Sequence, residues 1–327
     1  MPANTVYSII VKKENAHDDP IYCCTWAKVN TSGDSANATK DFIVTGGLDC
    51  LVKVWSLENN RLGLLHTLEG HSMAVVSVAV SPTAPIIVSS SLDSSLIFWD
   101  LASGRKQFEI PTGVTDVWKV AFSPNGENIA IGGHTGKIHV YGVQSGTVER
   151  MLDTRGKFIL SVAWSRNGRY IATGSEDGVV CIVDVMQGKV VHSVEAHAQP
   201  IRSIDFSPCS KRIVTASNDG HVKIYDVASA GLQGSVEHKC WAVGVCFSAE
   251  GSRVATAAAD GGVRVAACAA PGLAVLNTFK EHTDVVWGVN FSSNSKKLIS
   301  VSKDRCINIY ECPPLPPKIE KEQFIKV

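Results

Sequence analysis

The sequence predicts an all-β protein assembled from seven copies of one supersecondary unit, and three observations predict it. A turn residue followed by an alternating apolar strand recurs at Asp49, Asp93, Thr135, Asp177, Asp219, Asp260 and Asp304. The spacings between them are 44, 42, 42, 42, 41 and 44 residues, the period of a repeat unit and not of a domain. Each strand then ends six residues after its turn, at Trp55, Trp99, Tyr141, Val183, Tyr225, Ala266 and Tyr310. With 45% hydrophobic and 19% charged residues, the chain has enough apolar surface to bury a core, so wholesale disorder is excluded.

Upstream of the turn, a histidine followed by an apolar run appears at His17, His71, His197, His238 and His282, and in four repeats the interval from His to Asp is 22 residues. This fixed interval resembles the WD-repeat family. The resemblance implies a seven-bladed β-propeller of four-stranded antiparallel blades, with strands a to d running from the axis outward. In that family the His lies in the loop leading into strand a and the Asp in the turn between strands b and c. A Ser or Thr on strand b bridges to the aromatic on strand c. His17, Thr45, Asp49 and Trp55 form one such set, and His71, Ser89, Asp93 and Trp99 another. His197 with Asp219, His238 with Asp260, and His282 with Asp304 supply the same pair, while Asp177 stands opposite Arg155. A buried carboxylate needs such donors around it. An active site is needed only once, so these repeated pairs read as structural. Repeat three carries Gly113 and Thr135 in place of the pair, and repeat six ends its strand in Ala266 and Ala267, so these blades are expected to lean on their neighbours.

The two ends of the chain predict how the ring closes. After Tyr310 the seventh repeat needs an outer strand, yet Cys312 is followed by Pro313, Pro314, Pro316 and Pro317, which cannot donate to a ladder. Val6 to Val11 reads as a strand ahead of the first His, so the N-terminal strand is expected to complete the last blade. Residues 1–312 are thus expected to form a single propeller and residues 313–327 a flexible Pro-rich tail. The segment from Lys28 to Asp41 reads as a polar insertion between strands a and b of the first repeat.

Other classes of function find little support. The thirty-one basic residues balance thirty-one acidic ones, which argues against a phosphate-tracking nucleic-acid binder. Ten scattered cysteines without a CxxC pair read as small buried hydrophobes in a reducing compartment. The N-terminus lacks the pattern of a signal peptide, and no apolar run is long enough to span a bilayer. No nucleophile elbow, phosphate loop or paired metal-ligand motif is present, so no catalytic residue, metal or cofactor is expected.

Function must therefore sit on a surface. In this family, partner-contacting side chains lie three and five residues past the His position and one before the turn, on the top face. Five past, the registers give Tyr22, Val76, Trp118, Leu160, Arg202, Val243 and Trp287; three past, they include Asp116, Phe158 and Trp241. Tyr22, Trp118, Phe158, Arg202, Trp241, Val243 and Trp287 are the expected partner-binding residues, rich in the aromatic and Arg composition of interface hot spots. Arg202 could otherwise pair with Glu176. Trp26 and Trp164, nine past the His position, are expected in the sheet core.

Within the family, several stretches resemble the WD-repeat subunits of the superkiller complex: AHDDPI (residues 16–21), LVKVW (51–55), LDTRGKFILSVAW (152–164), HAQPIRSIDFSP (197–208), TASNDGHVKIYDV (215–227) and VVWGV (285–289). This resemblance implies a non-enzymatic adaptor, cytoplasmic and nuclear, monomeric when alone. Its implied partners are a tetratricopeptide-repeat scaffold with its helicase assembly in exosome-linked mRNA decay, and subunits of the polymerase-associated-factor elongation complex. It implies no direct contact with nucleic acid or membrane. A stand-alone peptide reader, of histone tails or as a ubiquitin-ligase substrate receptor, is the alternative.

Overall fold

The computed structural model describes residues 6–30, 39–112, 117–269 and 272–315. They form seven four-stranded antiparallel sheets and no helix, so none among the described residues crosses a membrane. Six sheets use four consecutive strands. The seventh takes Val286–Phe291, Lys297–Ser302 and Ile307–Glu311 from the end of the chain and Ser8–Lys13 from its beginning. Ser8 pairs with Glu311 and Lys13 with Ile307, so the N-terminal strand closes the ring as the outermost strand of blade 7.

Alternation along each strand puts apolar side chains on both faces of a blade, and the core therefore lies between blades. Val44, Val52 and Val54 of blade 1 pack with Val75, Ile87 and Trp99 of blade 2. Across the closure, Ile21, Ile43 and Trp55 pack with Ile299, Val301, Ile307 and Ile309 of blade 7. The blades approach closely enough that Gly46 has no room for a side chain, since a Cβ there would lie 2.5 Å from Val75 Cγ1 of the next blade.

In blades 1, 2, 5 and 7 the turn between strands b and c is held from within. In blade 1, His17 Nδ1 lies 2.8 Å from Asp49 Oδ2 and Nε2 lies 2.8 Å from Thr45 Oγ1, while Trp55 Nε1 donates to the same hydroxyl at 2.9 Å. Blade 2 repeats this arrangement with His71, Asp93, Ser89 and Trp99 at 2.7 to 3.0 Å. The carboxylate fixes the proton on Nδ1, leaving Nε2 to accept from the hydroxyl. Burial alone would raise the Asp49 pKa, but the His17 hydrogen bond and charge, with the Leu51 and Asp18 amides, hold it below the usual range. His197 with Asp219 and Thr215, and His282 with Asp304 and Ser300, repeat the pattern.

Two blades differ from expectation. His238 does not meet Asp260 directly. Arg264 lies between them, Nη1 2.6 Å from His238 Nδ1 and Nη2 donating to Asp260 Oδ2 at 2.7 Å. With Ala266 where five other blades carry an aromatic, the long side chain of Arg264 supplies the bridge. Burial first, and then the Arg264 charge, push the His238 pKa down to about 4. In blade 4, Arg155 is left-handed (φ 55°) and Asp177 accepts from Ser175 within its own turn, so this Asp ties no loop to strand a.

Trp26 is buried as expected, with Nε1 donating to Asp41 Oδ1 at 3.1 Å. Trp164 is only half-buried, a correction to its expected place in the core. In blade 1 strands a and b stay paired past Trp26 as far as Asn30 and Thr39. The tight turn of blade 4 leaves Trp164 at the rim, where Nε1 donates to Gly168 O at 3.2 Å.

The closure has a second lock. Arg253, on strand b of blade 6 and 2% exposed, donates from Nη1 to Pro313 O, from Nη2 to Ser295 O and from Nε to Glu250 Oε1, each at 2.8 Å. Tyr7, just ahead of the N-terminal strand, packs edge-on against Phe279 of blade 6. Blade 6 thereby holds both ends of the ring. Of the tail, residues 316–327 lie outside the described residues, as do residues 31–38 of the Lys28 to Asp41 insertion.

Candidate functional site

A feature of strand a builds the top face. In six blades the pairing of strand a with strand b skips one residue: Ile21 pairs with Gly47 but Cys23 with Gly46, and Ile201 with Ser217 but Ser203 with Ala216. The same skip occurs at Val75/Ser77, Ile159/Ser161, Ala242/Gly244 and Val286/Gly288. The extra residues are Tyr22, Val76, Leu160, Arg202, Val243 and Trp287. A β-bulge re-aims the side chain it carries, here off the sheet and toward the axis at the top. In blade 3, strand a begins only at Val120, and Trp118 takes the equivalent place ahead of it.

These seven side chains line one pocket of about 240 Å³, together with Leu48, Ala74, Leu92, Lys119 and Ser203. Five of the seven expected partner-binding residues therefore come together: Tyr22, Trp118, Arg202, Val243 and Trp287. Tyr22 and Trp287 meet edge to face at 5.5 Å, and the Trp287 Nε1 donor is buried with no acceptor among the described residues. Val243 contributes a wall and little accessible surface, being 5% exposed.

Phe158 and Trp241 do not join the pocket lining. Phe158 packs edge-on against His134 at 5.2 Å, and Trp241 stands on the rim, 53% exposed. Arg202 forms no pair with Glu176; its Nε donates to Asn218 Oδ1 at 3.2 Å. Asp116 lies outside the described residues.

Beneath the pocket runs an axial channel of about 490 Å³, lined by the inner strands. Lys119 lines both cavities. Asp205 faces the channel, accepting from the Phe247 amide at 2.8 Å, and burial raises its pKa against the Arg166 and Lys119 charges. Sequence registers missed both Lys119 and Asp205. The signal available was an ionisable residue inside an otherwise apolar inner strand, as in VWKVAF and RSIDFSP.

The chemistry of the remaining groups is restricted by burial. Asp93, His71 and Ser89 have the connectivity of a nucleophilic triad, but Ser89 is 0% exposed and its hydroxyl already accepts from the Trp99 indole. Among the described residues no three His, Cys, Asp or Glu side chains are placed to share a metal ion. All ten cysteines are free thiols, and burial pushes Cys23 and Cys312 up to about 12.

Residues 37–311 match the family described as the IFT122 first beta-propeller, and residues 9–56 match the WD domain, G-beta repeat. Among curated proteins, the chain is 37% identical over 140 residues to the WD repeat-containing protein SL1-17 of Schistosoma mansoni, covering 43% of this chain and 44% of the relative. It is 32% identical over 123 residues to the WD repeat-containing protein VIP3 of Arabidopsis thaliana, 37% of this chain and 35% of that one. Over 91 residues it is 37% identical to the small ribosomal subunit protein RACK1y of Oryza sativa subsp. japonica, 28% and 26% of the two chains. The matched stretches thus span less than half the length of these relatives.

Proposed function

The chain belongs to the WD-repeat β-propeller family, a family of protein-interaction scaffolds, and from that premise we propose that it is a non-enzymatic adaptor that captures short partner segments in its top pocket. The observation that carries this is the ring of bulged residues, which puts Tyr22, Trp118 and Trp287 around one open cavity at the axis. Aromatic anchors in a water-excluding pocket are where interface energy concentrates. Stretches such as LDTRGKFILSVAW favour membership of the superkiller complex, with a tetratricopeptide-repeat scaffold as direct partner in cytoplasmic mRNA decay, and a second role with elongation-complex subunits in the nucleus.

A reader of cationic histone tails is disfavoured, because Lys119 and Arg202 line the pocket and, among the described residues, no carboxylate does. The test replaces Trp118 and Trp287 by Ala together. At ~2 kcal/mol or more for each hot-spot aromatic, recovery of the scaffold on affinity purification falls more than about thirtyfold. Circular dichroism of the variant stays that of the folded ring. Unaltered co-purification would move the interface to the sides or bottom of the propeller.

A further inference from the structure

Arg202 is the one charged residue in the bulged ring, and it is half-buried. Its Nε donates to Asn218 Oδ1, while neither Nη has an acceptor and no carboxylate lies within ion-pairing distance among the described residues. Other arginines of this protein are treated differently: Arg253 reaches Glu250, Arg264 reaches Asp260 and Arg169 reaches Asp184, at 2.7 to 3.1 Å. Burial holds the Arg202 guanidinium below its ordinary pKa, with no acidic neighbour among the described residues to oppose the shift. A guanidinium taken partly out of water without a counter-charge is costly, and its planar fork matches a carboxylate with two parallel hydrogen bonds.

The rest of the pocket points the same way. Lys119 has no acceptor among the described residues, and the Trp287 indole N–H is buried and unpartnered. Ser203 spends its hydroxyl on Val245 O. Among the described residues, the pocket thus offers donors and positive charge and no carboxylate to answer them.

Position in the ring adds a constraint. Arg202 belongs to blade 5, and Trp118 and Trp287 belong to blades 3 and 7, two blades away on either side. A group held by Arg202 sits between two aromatic walls, so the chain that carries it needs apolar side chains on both sides of it. That favours an acidic side chain within a segment over a chain terminus.

We propose that the segment captured by the top pocket carries an aspartate or glutamate side chain that pairs bidentately with Arg202, flanked by apolar residues that pack against Trp118 and Trp287. This rests on the proposed docking role of the pocket, and the test separates the two. The intact protein is immobilised and challenged with displayed peptides randomised over eight positions and flanked on both sides by constant Gly-Ser sequence, so that no free terminus is presented. The enriched pool is expected to hold Asp or Glu at one position between apolar residues. With R202Q the acidic preference disappears while the apolar preference stays, and R202K, which keeps the charge and loses the fork, restores it in part.

For one enriched peptide, Glu→Gln lowers affinity at least about tenfold on the wild type and less than threefold on R202Q, and added salt weakens the wild-type complex more. An apolar pool without acid, a basic pool, or an acidic preference that survives R202Q overturns the inference and leaves the docking site standing. Equal enrichment by the wild type and by W118A/W287A, or no enrichment at all, overturns the docking site itself and the inference with it.

Discussion

Replacing Arg253 by Met probes the closure of the ring at the point where both chain ends meet blade 6. Methionine preserves much of the apolar stem that lies against Phe291 and removes the guanidinium, whose carbon sits 5.6 Å from that ring. Two short charge-assisted bonds to main-chain carbonyls are lost, to Pro313 O and Ser295 O, each at 2.8 Å, besides a longer one to Cys312 O at 3.4 Å and the Nε bond to the half-exposed Glu250. At ~1.5–3 kcal/mol each the two short bonds sum to ~3–6 kcal/mol. The Pro313 carbonyl lies near the end of the ordered ring and recovers water when released, so the lower end, about 3 kcal/mol, is expected. At roughly 2–4 °C per kcal/mol for a chain of this size, the melting temperature falls by about 6–12 °C. Thermal unfolding followed by circular dichroism measures it. Combining R253M with deletion of residues 1–12, which alone lowers the melting temperature sharply, gives less than the sum of the two, because both act on the same closure. A shift under about 2 °C for R253M, or full additivity, would refute the role assigned to this arginine.

Three further outcomes follow from the turns. Ser89→Ala removes the hydroxyl shared by His71 Nε2 and Trp99 Nε1 and leaves a buried indole donor unpaired; the loss is about 2–3 kcal/mol, read as a lower urea midpoint at unchanged slope. The residue after each turn position is left-handed in all seven blades, Gly in four and Cys50, Ser94 and Arg305 in the others (φ 65°, 63° and 67°). Ser94→Gly relieves that strain and raises the melting temperature by a degree or two, about 0.5 kcal/mol net of the added chain entropy; a lower melt would contradict it. Acid stability starts to fall well above the carboxylate range. Burial depresses the pKa values of His71 and His197, and burial with the Arg264 charge takes His238 to about 4, so the unfolded chain binds more protons below about pH 6.5. The histidine contribution is complete above that pH and is lost as pH falls toward 4, below which the depressed Asp49, Asp93 and Asp219 add their own loss. Melting temperatures that stay level from pH 7 to pH 5 would exclude it.

How much of this is legible in the sequence depends on how local its cause is. The seven turns are legible because an Asp, or Thr135 in blade 3, a left-handed residue after it and an alternating strand are set within about ten residues of chain. The closing strand is legible because Pro313 and Pro314 cannot pair, so that blade 7 must find its fourth strand elsewhere. The Arg264 bridge is not, because it depends on an absence, the missing aromatic at Ala266, that a long side chain from the same strand happens to fill. Trp26 and Trp164 share a register and differ in burial; strands a and b run on paired past Trp26, whereas in blade 4 their pairing ends at Trp164. The five-past register is visible as spacing, but the bulge that turns it toward the axis is a property of pairing with strand b. Lys119, one residue beyond that register in the blade whose strand a starts late, is lost to any fixed count.

The bulge also explains how one fold separates stability from recognition. The buried His, Ser or Thr, Asp and aromatic sets hold the turns; they are complete in blades 1, 2 and 7, lack only the aromatic link in blade 5, are altered in blade 6 and are absent from blades 3 and 4. The pocket residues follow none of this variation: blades 3, 4 and 6 still contribute Trp118, Leu160 and Val243. One side chain per blade, extra to the ladder, can change without disturbing the pairs on either side of it. The chemistry of the pocket is then the sum of seven nearly independent choices: three aromatic, three aliphatic and one cationic. A chain of zero net charge can in this way carry a pocket whose only ionic groups among the described residues are Lys119 and Arg202. For partner choice, the arrangement of charge around the axis outweighs its total over the chain.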